Sequence, residues 1–195
     1  MGGEHGRSTA ATGGFTMTHD VAGPSVASSG STGHHFDYAI KAHPTLYKGT
    51  MFRSRLEARW AAFFDLAGWD WQYEPIDLVG WTPDFYVKFP CGHSECNGYH
   101  DLLVEVKPYF TIDQFRGHQC MRYEWGCIWH SEDDCTKLPA DASAAFGISP
   151  RVTYWCMAHG AGGGDESVED WVIGDVDRLW AEAGNVVQWK PTKRR

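Results

Sequence analysis

Two short runs in this chain set acidic groups where a metal ion could be held: Pro83-Asp84 and, further along, Glu105-Val106-Lys107. Residues two apart on a strand project to the same side, so Glu105 and Lys107 share a face while Val106 turns away. Leu102, Leu103, Val104 and Val106 read as a buried strand. A charged pair in such a strand is costly unless partnered. Asp84 opens the strand before it, within reach of Glu105. Two facing carboxylates repel unless a cation lies between them. Mg²⁺ suits that position, being hard and oxygen-seeking.

A second group with chemistry in it is the loop Cys91-Gly-His93-Ser-Glu-Cys96-Asn-Gly-Tyr-His100. Two thiols and two imidazoles are enough for a tetrahedral, structural Zn²⁺. The spacing differs from a C-x-x-C knuckle, and four ligands from so tight a loop would be cramped. Two or three of them completed by His118, Cys120, Cys127 or His130 is an equal reading. The plainer one is a polar hairpin tip with free cysteines. The six cysteines, at 91, 96, 120, 127, 135 and 156, are even in number. Nothing else suggests secretion, so free thiols or metal ligands are expected rather than disulfides.

The elements that must position these groups follow from patterning. Leu56, Trp60, Phe63, Phe64 and Ala67 recur at helical spacing, predicting a helix over 54–67 that Gly68 ends. Ser54-x-x-Glu57 at its start is a capping box. Strands are expected at 71–74, 84–89, 102–107 and 152–157, with a last short one at 186–189. A helix is expected at 112–125, weakened by Gly117. Residues 131–150 read as an irregular insertion and 160–164 as a flexible connector. One or two helices fall in 165–183, broken near Gly174. Together these predict an α/β fold, a central mixed sheet flanked by helices. Residues 1–35, rich in Gly, Ser and Thr, are expected to be a disordered tail. Residues 36–195 then form a single domain.

The 195 residues carry a net charge of -8, which argues against broad coating of nucleic acid. Its distribution is uneven. Lys41, Lys48, Arg53, Arg55 and Arg59 lie close together around Glu57, and Lys190, Lys193, Arg194 and Arg195 end the chain. Carboxylates concentrate in 161–182. The pattern reads either as solvated faces or as a basic groove beside an acidic metal site. Most of the aromatic residues are expected in the core, and Trp81, beside Asp84, is the best candidate for stacking on a base. No apolar run approaches the length of a membrane helix. The chain is therefore read as cytoplasmic, with no membrane partner.

Ser54-Arg-Leu-Glu57-Ala-Arg-Trp60, Tyr73-Glu-Pro75, Thr82-Pro-Asp84-Phe-Tyr86 and Leu103-Val-Glu105-Val-Lys107 together resemble the PD-(D/E)XK nuclease superfamily. The nearest likeness is to small phage-encoded endonuclease-like members and the endonuclease subunit of heteromeric transposases. It covers roughly residues 48–110, about a third of the chain. The resemblance implies a restriction-endonuclease-like sheet and metal-dependent hydrolysis of phosphodiesters. Asp84, Glu105 and Lys107 match the core motif, and Glu57 matches an acidic residue many members carry on the preceding helix. Asp84, Glu105, Glu57 and the Val106 carbonyl would then hold Mg²⁺ or Mn²⁺, with Lys107 orienting or activating water. Arg53 and Arg55 are candidate substrate contacts. Gln119 and Tyr123 resemble the Gln-x-x-x-Tyr element of RecB-like nucleases, though helical spacing alone often produces that pattern. DNA is expected over RNA. A homodimer would suit cutting of both strands, and a phage-encoded member would act in the host cytoplasm. The competing expectation is a zinc-stabilised nucleic-acid-binding module without catalysis.

Overall fold

In the computed structural model, residues 42–122 and 139–188 are described. The 1–35 tail, Tyr123, Cys127, His130, Cys135, Trp189 and the basic C-terminal residues lie outside them. The chain opens with a hairpin, β1 (Thr45–Tyr47) and β2 (Thr50–Phe52), whose turn places Lys48 and Gly49 at positive φ. Helix α1 (Arg55–Ala67) follows. Ser54 caps it by accepting from the Glu57 N–H, and Gly68 ends it at φ 73° in the left-handed region that glycine enters without steric cost.

A six-stranded mixed sheet comes next, in the order β3 (Asp70–Tyr73), β4 (Phe85–Pro90), β5 (Tyr99–Val106), β6 (Ala142–Phe146), β7 (Thr153–His159), β8 (Gly162–Glu166). Every pairing is antiparallel except β5 with β6. Two helices complete the fold, α2 (Val168–Trp171) and α3 (Val176–Val186).

Alternation along β5 divides the two faces. Leu102, Val104 and Val106 join α1, α3 and the aromatic residues of β4, β6 and β7 in the main core. Trp60 is fully buried there, its ring 4.6 Å from Trp180 and 4.7 Å from Phe146. Leu103 belongs to a smaller cluster on the other face with Trp81, Phe115, Cys120 and Ala145.

Four expectations need correction. Over its described part, residues 112–122, the expected 112–125 helix is instead two 3-10 turns, Ile112–Phe115 and Gln119–Met121, separated by Gly117 at φ 85°. Part of the expected irregular insertion is β6, a strand buried throughout. The expected connector at 160–164 is largely β8, held by its ladder to β7. Val186, expected to begin a strand, closes α3, and Val187 caps it. Among the described residues no helix is long and apolar enough to cross a membrane.

Candidate functional site

The β4–β5 register brings the two acidic runs together. Phe85 pairs with Val104, so one step further along the same ladder sets Asp84 opposite Glu105. Side chains facing each other on antiparallel strands lie about 5 Å apart at Cβ. Both carboxylates are buried, Asp84 at 1 % exposure and Glu105 at 4 %. Each is held by several donors. Asp84 Oδ2 accepts the Val106 N–H at 2.7 Å, and Oδ1 is paired with the Arg53 guanidinium. Glu105 Oε2 accepts the Trp81 indole N–H at 2.6 Å. Its Oε1 is paired with the Lys107 ammonium, and His118 Nε2 lies 3.4 Å away.

Burial, and after it the nearby Glu105 charge, push the Asp84 carboxyl up to about 7. Burial works against the charged form of Lys107. The hydrogen bond to Glu105 and the charges of Glu105 and Asp84 outweigh it, and the ammonium is held above its ordinary range. His118 is shifted downward, chiefly by burial, against the opposing pull of the Glu105 charge. Cys120 is pushed up to about 12 by burial and then by the Glu105 charge, which makes it an inert thiol.

Glu57 stands at the edge of this group, 7 % exposed. The expected capping box is formed on one side only: Ser54 Oγ accepts the Glu57 N–H, while Glu57 Oε1 accepts from the Ser54 hydroxyl at 2.6 Å rather than from its backbone N–H. Its Oε2 accepts from the Tyr73 hydroxyl at 2.5 Å and the Arg53 N–H at 3.2 Å. Arg53 links the three acidic residues of this edge. Beyond Asp84, its Nε lies 3.9 Å from Glu57 and 3.2 Å from Glu74.

The basic segment is therefore largely occupied within the protein. Arg53 is taken up by carboxylates, Lys48 pairs with Asp65 at 2.9 Å, and Arg59 stacks on Trp180 and donates to its carbonyl. Arg55 is exposed, beside His43, Pro44 and Thr45. Gln119 lies next to Gly80, one residue before Trp81. Trp81 is buried in the smaller core, so its ring is packing and its N–H orients Glu105; it is not a free stacking surface. Sequence reasoning missed this role, and missed His118 as a neighbour of Glu105. Nothing in local spacing points to either, because both depend on how the segment after β5 folds back.

At the other end of β5 the structure gathers Cys91, Cys96, His100 and His159, with their ligand atoms all within 4.8 Å of one another. Three of these match the expected loop ligands. His93 does not join them: it is exposed, packs against Gly160, and its Nδ1 accepts the Glu95 N–H. His118 and Cys120 are at the acidic end. No family model matches the chain, and neither a curated protein nor a solved structure matches it.

Proposed function

We propose that this chain is a metal-dependent endonuclease of the PD-(D/E)XK type that hydrolyses phosphodiester bonds in DNA. The observation that carries the proposal is the pairing of buried Asp84 opposite buried Glu105, with Lys107 bonded to Glu105 and partly exposed. Buried carboxylates facing each other are a hard-cation donor set, and the Asp84 carboxyl is raised first by its burial and then by the Glu105 charge, both of which a bound cation would offset. The residues present thus fit Mg²⁺ or Mn²⁺, held by Asp84 and Glu105 with Glu57 and the Val106 carbonyl as further donors. Such an ion supplies an acidified water and neutralises charge on a phosphate.

The chain's own groups do the rest. Lys107 keeps a positive charge at the mouth of the site, where charge develops on the phosphate in the transition state. The Trp81 indole N–H holds Glu105 in one orientation, with His118 beside it. Arg53 is a second cation at the same edge, and exchange of its Asp84 partner for a phosphate oxygen would place it on the substrate backbone. The resemblance of the motifs extends the proposal to a restriction-endonuclease-like fold and to recombination, repair or genome processing in a phage or mobile element, in the host cytoplasm. A homodimer would serve cutting of both strands.

The test is cleavage of labelled circular and branched DNA with Mg²⁺ or Mn²⁺, comparing wild type with Lys107→Ala and Asp84→Ala. Cutting by wild type and its loss in both folded variants supports the assignment. Failure of wild type on these, on single-stranded DNA and on RNA sinks it, and favours a binding module.

A further inference from the structure

The cluster at the far end of the sheet is chemically unlike the acidic site, and nothing in the nuclease reading uses it. Cys91 directly follows β4, Cys96 lies further along the β4–β5 loop, His100 is on β5, and His159 ends β7. The loop folds back over the β7–β8 turn: the Cys91 N–H donates to the Gly98 carbonyl, and Gly98 takes φ 85° to close the reversal.

Three features point to a bound cation. The first is distance. Metal–ligand bonds of ordinary zinc length at a tetrahedral angle separate a sulfur from a nitrogen by about 3.6 Å. Cys91 Sγ and His159 Nε2 are 3.4 Å apart.

The second is an orphaned atom. His100 is 6 % exposed, and its buried Nε2 has no hydrogen-bond partner among the described residues. Its Nδ1 lies 2.7 Å from Asp141 Oδ2. That carboxylate fixes the proton on Nδ1 and leaves a lone pair on Nε2, the arrangement a metal-bound histidine needs. An unsatisfied buried nitrogen is costly, and a metal bond removes the cost.

The third is the surroundings. Trp171 packs 5.3 Å from the His100 ring and 4.9 Å from the His159 ring, and Phe89 packs 4.8 Å from Trp171. This packing holds the two imidazoles in place from one side.

We infer that Cys91, Cys96, His100 and His159 form a structural Zn²⁺ site that ties the β4–β5 loop to the end of β7. Two thiolates and two imidazoles select zinc over the hard ions suited to carboxylates. Four protein ligands fill a tetrahedron and leave no position for substrate, so the site is structural. It is also remote. His100 and Glu105 are five residues apart on one strand, about 17 Å at a strand's rise per residue. His159 enters from a strand distant in sequence and replaces the nearer His93. On binding, both thiols release their protons to solvent.

Metal analysis of the purified full chain tests this without any cleavage assay, so its failure is separate from failure of the nuclease reading. The expected result is one zinc per chain. Refolding with Co²⁺ should give the intense visible absorption of a tetrahedral ion and a thiolate-to-cobalt charge-transfer band. Chelation with Mg²⁺ kept in excess should lower the thermal midpoint by about 10 °C. His159→Ala and Cys96→Ser should lose the zinc, whereas His93→Ala should keep it. A wild-type chain that holds no zinc and gives no tetrahedral cobalt spectrum overturns the inference, and so does a Cys91–Cys96 disulfide in the purified protein. Retention by His159→Ala with loss by His93→Ala overturns the ligand set. The wild-type cobalt spectrum decides the matter even where a variant does not fold.

Discussion

The two ends of β5 bury polar groups by opposite means. At the Glu105 end the groups are carboxyls, and the protein sets a cation against each: Arg53 on Asp84 and Lys107 on Glu105. At the His100 end the groups are two cysteines and two imidazoles packed on one side by Trp171, itself backed by Phe89, with Asp141 reaching one ring. The first arrangement remains open, since the Arg53 and Lys107 side chains are 57 % and 34 % exposed. The second is half-buried, with Cys91 and His100 buried and Cys96 and His159 partly exposed. A site that must admit an anionic backbone needs access and mobile cations. A site that only holds the fold together needs no such access, because its own ligands fill the coordination sphere.

The contrast can be broken most directly at Lys107. If the open end is catalytic, Lys107→Ala should reduce the single-turnover cleavage rate roughly 100- to 1000-fold, with zinc content unchanged. A variant that cuts at the wild-type rate would remove Lys107 from the chemistry. Second, stripping the His100 end of its metal should destabilise the chain by about 3 kcal/mol or more in denaturant unfolding. Denaturation curves that coincide with and without zinc would show the cluster to be incidental.

Asp141→Asn sharpens the comparison by touching only the orienting group. It should weaken zinc binding about 10- to 100-fold in competition with a chromophoric chelator, while leaving cleavage intact. Trp81→Phe is its counterpart at the open end. Loss of the indole N–H leaves Glu105 one donor short, so cleavage should fall about 10-fold at a stability cost of about 1–2 kcal/mol. Kinetics and urea unfolding of the same sample separate the two effects. The smallest change is expected from Ser54→Ala, about 1 kcal/mol of lost cap, read as a shift of the urea midpoint. A much larger loss of cleavage than of stability there would show that the cap also positions Glu57.

The legible parts of the fold were those whose signals are local. Ser54 and Gly68 mark both ends of α1, and the apolar run before Glu105 marks β5. β6 was hidden because Ala142-Ser-Ala-Ala has little intrinsic preference for a strand; what makes it one is a place between β5 and β7. β8 begins with three glycines and depends in the same way on its partner. In the acidic site Asp84, Glu105 and Lys107 could be named from spacing, and Glu57 from the resemblance. The pairing of Arg53 with Asp84 could not, because it needs the hairpin before α1 to meet the start of β4. His159 was invisible as a partner of Cys91 for the same reason, while His93, adjacent in sequence, was a false neighbour.

The odd spacing of His100 and Glu105 has a consequence for folding fidelity. The two residues point to opposite faces of β5 as well as lying toward opposite ends. A slip of β5 by one residue against its neighbours would turn Glu105 into the aromatic core beside Trp60 and Phe146, and would swing His100 away from Asp141. Either error alone strands a polar group in apolar surroundings, and the geometry of a strand makes both happen at once. The pair therefore works as a two-point alignment key, rejecting misregistered sheets that hydrophobic patterning by itself, with Leu102, Leu103 and Val104 buried side by side, discriminates only weakly.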